Sequence, residues 1–328
     1  MNQVPPPSPA ISVIVPMRNA AEYVGDTLRS ILTHPHDAPS AALEVVVVDD
    51  GSTDTSVHEV TQLNDPRVRV VPGPQQGIAA AVNAGLAASR GAVVVRCDAD
   101  DLLTPGRLGA QLAQLDAQPQ AVAVCGGYET IDARGRAIAV LPTGDAAIDI
   151  SDELRRGETR THLGTFAIRR AALETLGGAR DYFVGTEDID LQLRLGCLGP
   201  VSYTPGVVYR YRLHEASSTH TQRSRQREFL TQQARRFVVQ RVATGADDLD
   251  RGTAQAPPTD TGPDEAMSVD EQACSQLIGR AWRLRRDRRR GAAVAAMTRV
   301  LLRYPTRPSV WKQWCWMLAK APLPGDGW

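Results

Sequence analysis

Short β-branched runs alternate with helical stretches along the first third of the chain, and this alternation restricts the fold more than any other feature. Ile11-Ser-Val-Ile-Val-Pro16 has a strand pattern, and Ala21 to Leu32 carries apolar residues near helical spacing. Val45 to Val48, Val68 to Val71 and Ala92 to Arg96 repeat the strand signature, with helical stretches over Thr55 to Leu63 and Ile78 to Ser89 between them. A strand that is apolar at every position has no solvent face, so helices must cover it on both sides. The pattern therefore predicts an α/β fold of right-handed βαβ units around a mostly parallel sheet. Thr104-Pro105 then opens a helix to about Ala117, followed by a strand near Ala121 to Cys125 and a hairpin around Asp132 to Gly135.

Beyond Ser151 the pattern is mixed, with helices over Arg169 to Leu176 and Asp188 to Leu195 around Gly177-Gly178, and it reads as the second half of the same domain. A helical, Arg-rich stretch covers Gln222 to Val242. Asp247 to Glu271 holds eight acidic residues, one Arg and a Pro-Pro pair, a composition that predicts a linker. The sign then reverses, with nine Arg and one Asp between Arg280 and Arg303, and Trp311, Trp314 and Trp316 follow. The expected organisation is a disordered stretch over 1–10, an α/β domain over 11–218, a helical extension over 219–245, an acidic linker over 246–272 and a basic helical segment over 273–328.

Charge balance, 37 Lys+Arg against 37 Asp+Glu, gives no global reason to expect a nucleic-acid partner. Five cysteines without a Cys-x-x-Cys pair argue against a disulfide framework or a thiolate zinc site and fit a reducing cytosol. Met1 to Ala10 is proline-rich and lacks the basic-then-apolar order of a signal peptide, and no apolar run approaches the ~18 residues of a spanning helix. The expectation is a cytoplasmic protein, soluble or peripheral on the inner face of the membrane.

Chemistry concentrates in four places. Asp49-Asp50-Gly-Ser-Thr-Asp54 follows an apolar strand directly, where ligands of open parallel sheets bind, although the same residues also serve as turn and N-cap, with Thr53 or Asp54 as the cap. Arg96-Cys-Asp98-Ala-Asp100-Asp101 ends another strand with three carboxylates in four residues, a cluster that repels itself unless something cationic neutralises it. Oxygen ligands of this kind favour Mg²⁺ or Mn²⁺, which bridge one or two carboxylates to a diphosphate; a solvated acidic loop is the ordinary alternative. Thr186-Glu187-Asp188-Ile-Asp190 opens a helix, where acidic residues also simply complement the dipole. Tyr209-Arg-Tyr-Arg212-Leu-His214 gathers residue types that grip phosphate or complete a metal shell, or form a polar loop with aromatic packing.

In order along the chain, Val-Pro16-Met-Arg-Asn19, Val-Asp-Asp50-Gly-Ser-Thr-Asp54, Gly77 to Gly85 with Asn83, Asp98-Ala-Asp100-Asp101, Gly177-Gly178, Glu187-Asp188 and Arg212-x-His214 resemble the motifs of family 2 glycosyltransferases over about residues 11 to 218. The resemblance implies a GT-A fold and inverting transfer of a sugar from a nucleotide-diphospho-sugar, assisted by Mn²⁺ or Mg²⁺. It implies that Asp50 reads the base, Asp98 approaches the ribose, Asp100 holds the metal with His214, and Asp188 is the general base. Pro16, Asn19, Asn83, Arg96, Glu187 and Arg212 match other substrate-binding positions.

Two departures bear on function. Many relatives carry Arg where this chain has Val82, so one phosphate or base contact is either missing or supplied by Arg96. The Gln-x-x-Arg-Trp signature of processive synthases is absent, since Gln276-Leu-Ile-Gly-Arg280-Ala-Trp282 has another spacing, and this favours addition of a single sugar to a glycan, lipid-linked or protein acceptor. The alternatives are a nucleotidyltransferase of related fold, which would want glycines after the first strand, and a catalytically silent sugar-nucleotide-binding protein. The basic, Trp-bearing C-terminal segment is read either as a packed helical appendage or as a contact with an anionic membrane surface.

Overall fold

The computed structural model describes residues 9–33, 43–141, 146–214, 222–223, 225–259, 265–266, 268–286 and 288–319. Residues 1–8 of the expected disordered stretch lie outside these. Elements β1 (Ile11–Met17), α1 (Val24–Leu32), β2 (Leu43–Asp49), α2 (Ser56–Gln62), β3 (Val68–Pro72), α3 (Ile78–Ala88) and β4 (Val93–Arg96) follow the expected alternation. After them come β5 (Leu102–Leu103), α4 (Arg107–Ala117), β6 (Ala123–Ile131), β7 (Ala137–Val140), β8 (Ile148–Asp149) and α5 (Ser151–Arg155). A 3-10 turn at Leu163–Thr165 leads to β9 (Ala167–Arg169), α6 (Arg170–Leu176), α7 (Glu187–Leu198), β10 (Val201–Arg212) and α8 (Arg225–Thr244).

Among the described residues these strands form one sheet in the order β3-β2-β1-β4-β9-β6-β10-β5, with β7 on β6 and β8 on β10. The pairs β1–β2, β1–β4, β2–β3 and β6–β10 are parallel, whereas β9 runs antiparallel to both its neighbours. Val13 lies opposite Val45 on one side and Val95 on the other, so the centre of the sheet is built from Val alone at this level. Val45 and Val47 join one core with Leu28 and Leu108, and Val46 and Val48 join the other with Ala81, Leu173 and Leu191. Period-two alternation therefore feeds two helical layers at once, which explains why β2 is apolar throughout.

Strand order reverses at β1, since β2 and β3 lie on one side of it and β4 on the other. At such a point the connections leave in opposite directions and open a crevice at the carboxyl ends of the strands. Met17, Asp49, Asp50 and the residues after Arg96 line up there because of this connectivity.

Two expectations need correction. Asp247, expected in a solvated linker, is fully buried: Arg180 Nη1 reaches both its carboxylate oxygens, at 3.1 and 2.8 Å, and Arg241 donates at 2.9 Å. Further on, the Tyr182 hydroxyl donates to the Gln255 carbonyl at 2.6 Å. Composition marked this stretch as solvated because Arg180 lies 67 residues away and Arg241 belongs to the preceding helix. The cap of α2 also differs in detail, since Thr55 holds the cap position and Asp54 Oδ1 accepts from the Ser56 N–H at 3.0 Å from two residues ahead of the helix, while Thr53 points its amide at Asn19.

The C-terminal segment comprises α9 (Val269–Arg286), α10 (Arg290–Arg303) and α11 (Pro308–Leu318). It has a core of its own around Ala281, Leu284, Met297, Val300, Val310 and Met317. Ala273 of α9 joins the sheet domain's core beside Tyr128 and Ile138, so the segment rests on the β6–β7 edge.

Candidate active site

The first wall of the crevice is built at the ends of β1 and β2. Pro16 is buried opposite Val48, and the Asp50 N–H donates to the Met17 carbonyl at 2.8 Å. The Asp50 carboxylate accepts from the amides of Gln75 at 2.6 Å and Gly77 at 3.1 Å, so it pins the loop that enters α3. A carboxylate has about four acceptor positions, which leaves capacity for a ligand N–H. Asn19 has a left-handed backbone, with φ of 51°, and its Oδ1 accepts from the Thr53 amide at 2.8 Å, tying the β1 loop to the Asp-Gly-Ser-Thr turn.

At the end of β4 each of the three carboxyl groups is neutralised differently. Asp98 accepts from Arg96 Nε at 2.7 Å. Asp100 Oδ2 lies 2.9 Å from His214 Nε2. Asp101 is fully buried, accepts from the Tyr209 hydroxyl at 2.6 Å and from the Arg212 amide at 2.7 Å, and burial with the charges of Asp100 and Asp98 pushes its pKa well up. The expected self-repulsion is thus answered largely within the protein. The Tyr209–His214 residues do this from the end of β10 rather than from a loop, because β10 runs to Arg212.

Arg212 is buried, and its guanidinium donates to the Asp100 carbonyl at 2.7 Å and the Ala133 carbonyl at 2.8 Å while lying 4.8 Å from the Tyr23 ring centre. It shapes the acidic loop, and Tyr23 in turn contacts His214, with ring centres 4.7 Å apart.

The second wall is the start of α7. Arg96 Nη1 donates to Glu187 at 3.0 Å, so one guanidinium joins the β4 loop to α7. Burial opposes its charge, but Asp98, Glu187 and Asp188 outweigh this and hold its pKa well above the ordinary value. Arg96 is therefore engaged by carboxylates rather than standing free in the place left by Val82. Burial pushes Glu187 upward, Arg96 opposes this, and Asp188 adds to it. Asp188 itself is half-buried and accepts no hydrogen bond from the described residues. Asn83 lines a cavity together with Arg96 and Leu191, with its amide closing two bonds on Ala179, to the carbonyl at 2.8 Å and from the N–H at 2.9 Å. Gly178, with φ of 72°, passes so close that a Cβ would collide with Asn83 Oδ1.

Sequence reasoning missed His162. The 3-10 turn after it packs against β4, α7 and β10, and its ring lies within 5.7 Å of Tyr209 and 5.1 Å of Tyr211. Its Nδ1 accepts from the Gly164 amide at 3.1 Å, which puts the proton of the neutral ring on Nε2. Burial lowers its pKa, while Asp188 and Asp98 act in the opposite sense. A single His in Thr161-His-Leu-Gly-Thr165 carries no spacing signal, and only the convergence of β4, β6, α7 and β10 on this turn brings it against Tyr209 and Tyr211.

For a divalent cation the described residues offer Asp100 with His214 beside it. No group of three His, Cys, Asp or Glu that could hold a metal gathers among the described residues. This donor set fits an ion that draws most of its shell from a diphosphate and water, the usual habit of Mg²⁺, and does not fit an all-protein cage.

A switch-point crevice lined by acidic strand ends, facing a helix that opens with two carboxylates, lies where ligands of open α/β sheets bind. The model of Glycosyl transferase family 2 matches residues 12–177, and the chain belongs to this family. Among relatives, a chondroitin synthase of Pasteurella multocida is 28% identical over 209 residues, 63% of this chain and 21% of that protein. The succinoglycan biosynthesis protein ExoU of Rhizobium meliloti is 34% identical over 179 residues, 51% of each. An uncharacterised glycosyltransferase of Nostoc sp. is 40% identical over 101 residues, 30% of each. The chain thus spans between 21% and 51% of these relatives. S. aureus TarS 1-349 in complex with UDP-GlcNAc aligns with a TM-score of 0.58 at 16% identity, covering 94% of this chain and 88% of that one. Its complex with UDP gives 0.55 at 20% identity, covering 69% and 64%. The fold is the GT-A glycosyltransferase fold. No helix among the described residues is long and apolar enough to cross a membrane.

Proposed function

We propose that this glycosyltransferase moves a single sugar, with inversion, from a nucleotide-diphospho-sugar to a hydroxyl of a glycan, lipid-linked or protein acceptor in the assembly of a cell-surface polysaccharide. The observation that carries the reading is the Asp98–Arg96–Glu187 bridge, which joins the loop bearing Asp100 to the helix turn bearing Asp188. The UDP and UDP-GlcNAc bound by TarS support the donor class.

In this reading Asp50 receives a base N–H, Asp98 faces the ribose, and Asp100 with His214 would hold a divalent cation. When bound, the ion supplies positive charge toward the leaving group. Asp188 takes the proton of the acceptor hydroxyl, whose oxygen bonds to the anomeric carbon from the face opposite the diphosphate. The bond from that carbon to the diphosphate oxygen breaks, and its electron pair leaves with the nucleotide. One base suffices for a single displacement, whereas a retaining route would need a second nucleophile. Because Arg96 already engages Glu187, Asp188 is the carboxylate left to accept a proton.

A thermal-shift panel of UDP-, GDP- and dTDP-sugars with and without Mn²⁺ tests the donor. One nucleotide class should raise the melting point in an ion-dependent way, by about 2.7 kcal/mol of stability at 100 times its Kd. Indifference to every sugar nucleotide would refute the reading, and the anomeric configuration of the product checks inversion.

A further inference from the structure

The basic C-terminal segment has two faces of different chemistry. Inward, Val310 and Met317 of α11 are fully buried against α9 and α10. Trp282 and Trp314 belong to this interior, since their indole N–H groups donate to Gln313 Oε1 at 2.7 Å and to Thr298 Oγ1 at 3.0 Å. Outward, Trp311, Trp316 and Leu318 are 48%, 36% and 41% exposed. Trp311, Cys315 and Leu318 recur at i, i+4 and i+7, so they form one stripe along the helix, and Trp316 flanks it. The core of the segment is complete without these residues.

Charge on this face has one sign. From Arg290 to Ala319 the sequence contains no Asp or Glu, against Arg290, Arg299, Arg303, Arg307 and Lys312. Two of these border the stripe: Lys312 Nζ lies 4.6 Å from the Trp316 ring centre, and Arg290 Nη2 donates to the Leu318 carbonyl at 3.0 Å. Arg307 and Arg303 point elsewhere, to Asp270 and to the Ile138 carbonyl on the sheet domain.

We propose that the outer face of α11 docks the protein on an anionic phospholipid bilayer, with Trp311, Trp316 and Leu318 entering the interface and Arg290 and Lys312 meeting the headgroups. Leu318 in the stripe favours lipid over a nucleic acid, which would use aromatic rings as stacking platforms. The inference goes beyond sugar transfer and needs neither donor nor metal, so either reading can fail while the other stands.

The test is co-sedimentation of the full chain with vesicles of phosphatidylcholine alone and of phosphatidylcholine mixed with phosphatidylglycerol. The chain should bind the mixed vesicles at low salt, release as salt is raised, and ignore the neutral ones. Trp311→Ser with Trp316→Ser should weaken binding on the order of tenfold while lowering the melting point only slightly, because the variant loses the Trp311 indole bond to the Pro305 carbonyl at 2.8 Å and its edge contact with Trp314 but no core residue, and Lys312→Gln should weaken binding about fivefold. Tryptophan quenching by brominated phosphatidylglycerol gives a readout on the unaltered chain. Absence of binding to the mixed vesicles, or equal binding by the double variant, overturns the proposal. Self-association that the double variant abolishes, or retention on an oligonucleotide, in either case without vesicle binding, overturns it as well by assigning the face to a second copy or to nucleic acid.

Discussion

Asp98, Asp100 and Asp101 sit within four residues, yet Arg96, His214 and burial give each a different electrostatic setting. Because Asp100 is the member whose carboxylate, among the described residues, is hydrogen-bonded to His214 alone, Asp100→Ala should leave the fold intact. It should abolish Mn²⁺-dependent donor affinity, and titration calorimetry with and without the ion measures this. Asp188 lies beside the same cluster without a hydrogen-bonded partner among the described residues. Asp188→Asn, nearly isosteric but unable to take a proton, should keep donor affinity and lose about 10² to 10⁴-fold in turnover. Near-normal turnover in that variant would move the base to Glu187, at the cost of breaking its pair with Arg96.

At the scale of elements, α7 is held by a buried network. Asp190 pairs with Arg180 and, at 2.8 Å, with Arg194, and Arg180 continues to Asp247. Arg194 also donates to the carbonyls of Leu176 and Gly178, both at 2.8 Å, so the Gly177-Gly178 turn, α7 and the residues after α8 form one unit. Asp247→Ala removes the carboxylate that Arg180 and Arg241 share, while Asp190 stays with Arg180 and Asp250 with Arg241, and it should cost about 1–3 kcal/mol, read from urea midpoints. The pH dependence has a definite sign. Burial opposes ionisation of Asp247, but Arg180 outweighs it and holds the carboxyl below its usual range. A depressed folded pKa stabilises fully above the unfolded value of about 3.9 and is lost as pH falls through the folded one. The midpoint of the unaltered chain should therefore fall more steeply below about pH 4 than that of Asp247→Asn.

For the whole molecule, the boundary of the catalytic unit follows from the same residue. A chain ending at Thr259 keeps Asp247 and the Tyr182–Gln255 contact and loses α9–α11, which have their own core. It should retain donor-induced thermal stabilisation with a lowered melting point from exposing the β6–β7 edge. A chain ending at Ala246 should melt lower still, by an amount comparable to Asp247→Ala. Calorimetric scans of the two chains make the comparison, and equal melting points would remove Asp247 from the stabilising account.

The sequence by itself determined the alternating sheet, because a run such as Val45 to Val48 can only be a strand covered on both faces. It also determined that acidic residues close β2 and β4, since they follow those runs directly. Partnership over long separations was decided by the tertiary structure alone. Asp247 in an acidic stretch looks solvated until Arg180, 67 residues away, is folded against it. Asn83 and Arg212 carry motif positions, but which backbone carbonyls they hold depends on where α6 and the β6–β7 turn come to rest. His162 has no pattern to read, and the tryptophans of the last helix divide into Trp314 inside and Trp311 and Trp316 outside only once α10 packs on α11. Local periodicity reports which face of an element is apolar, whereas burial and pairing of a polar group depend on which other element arrives to meet it.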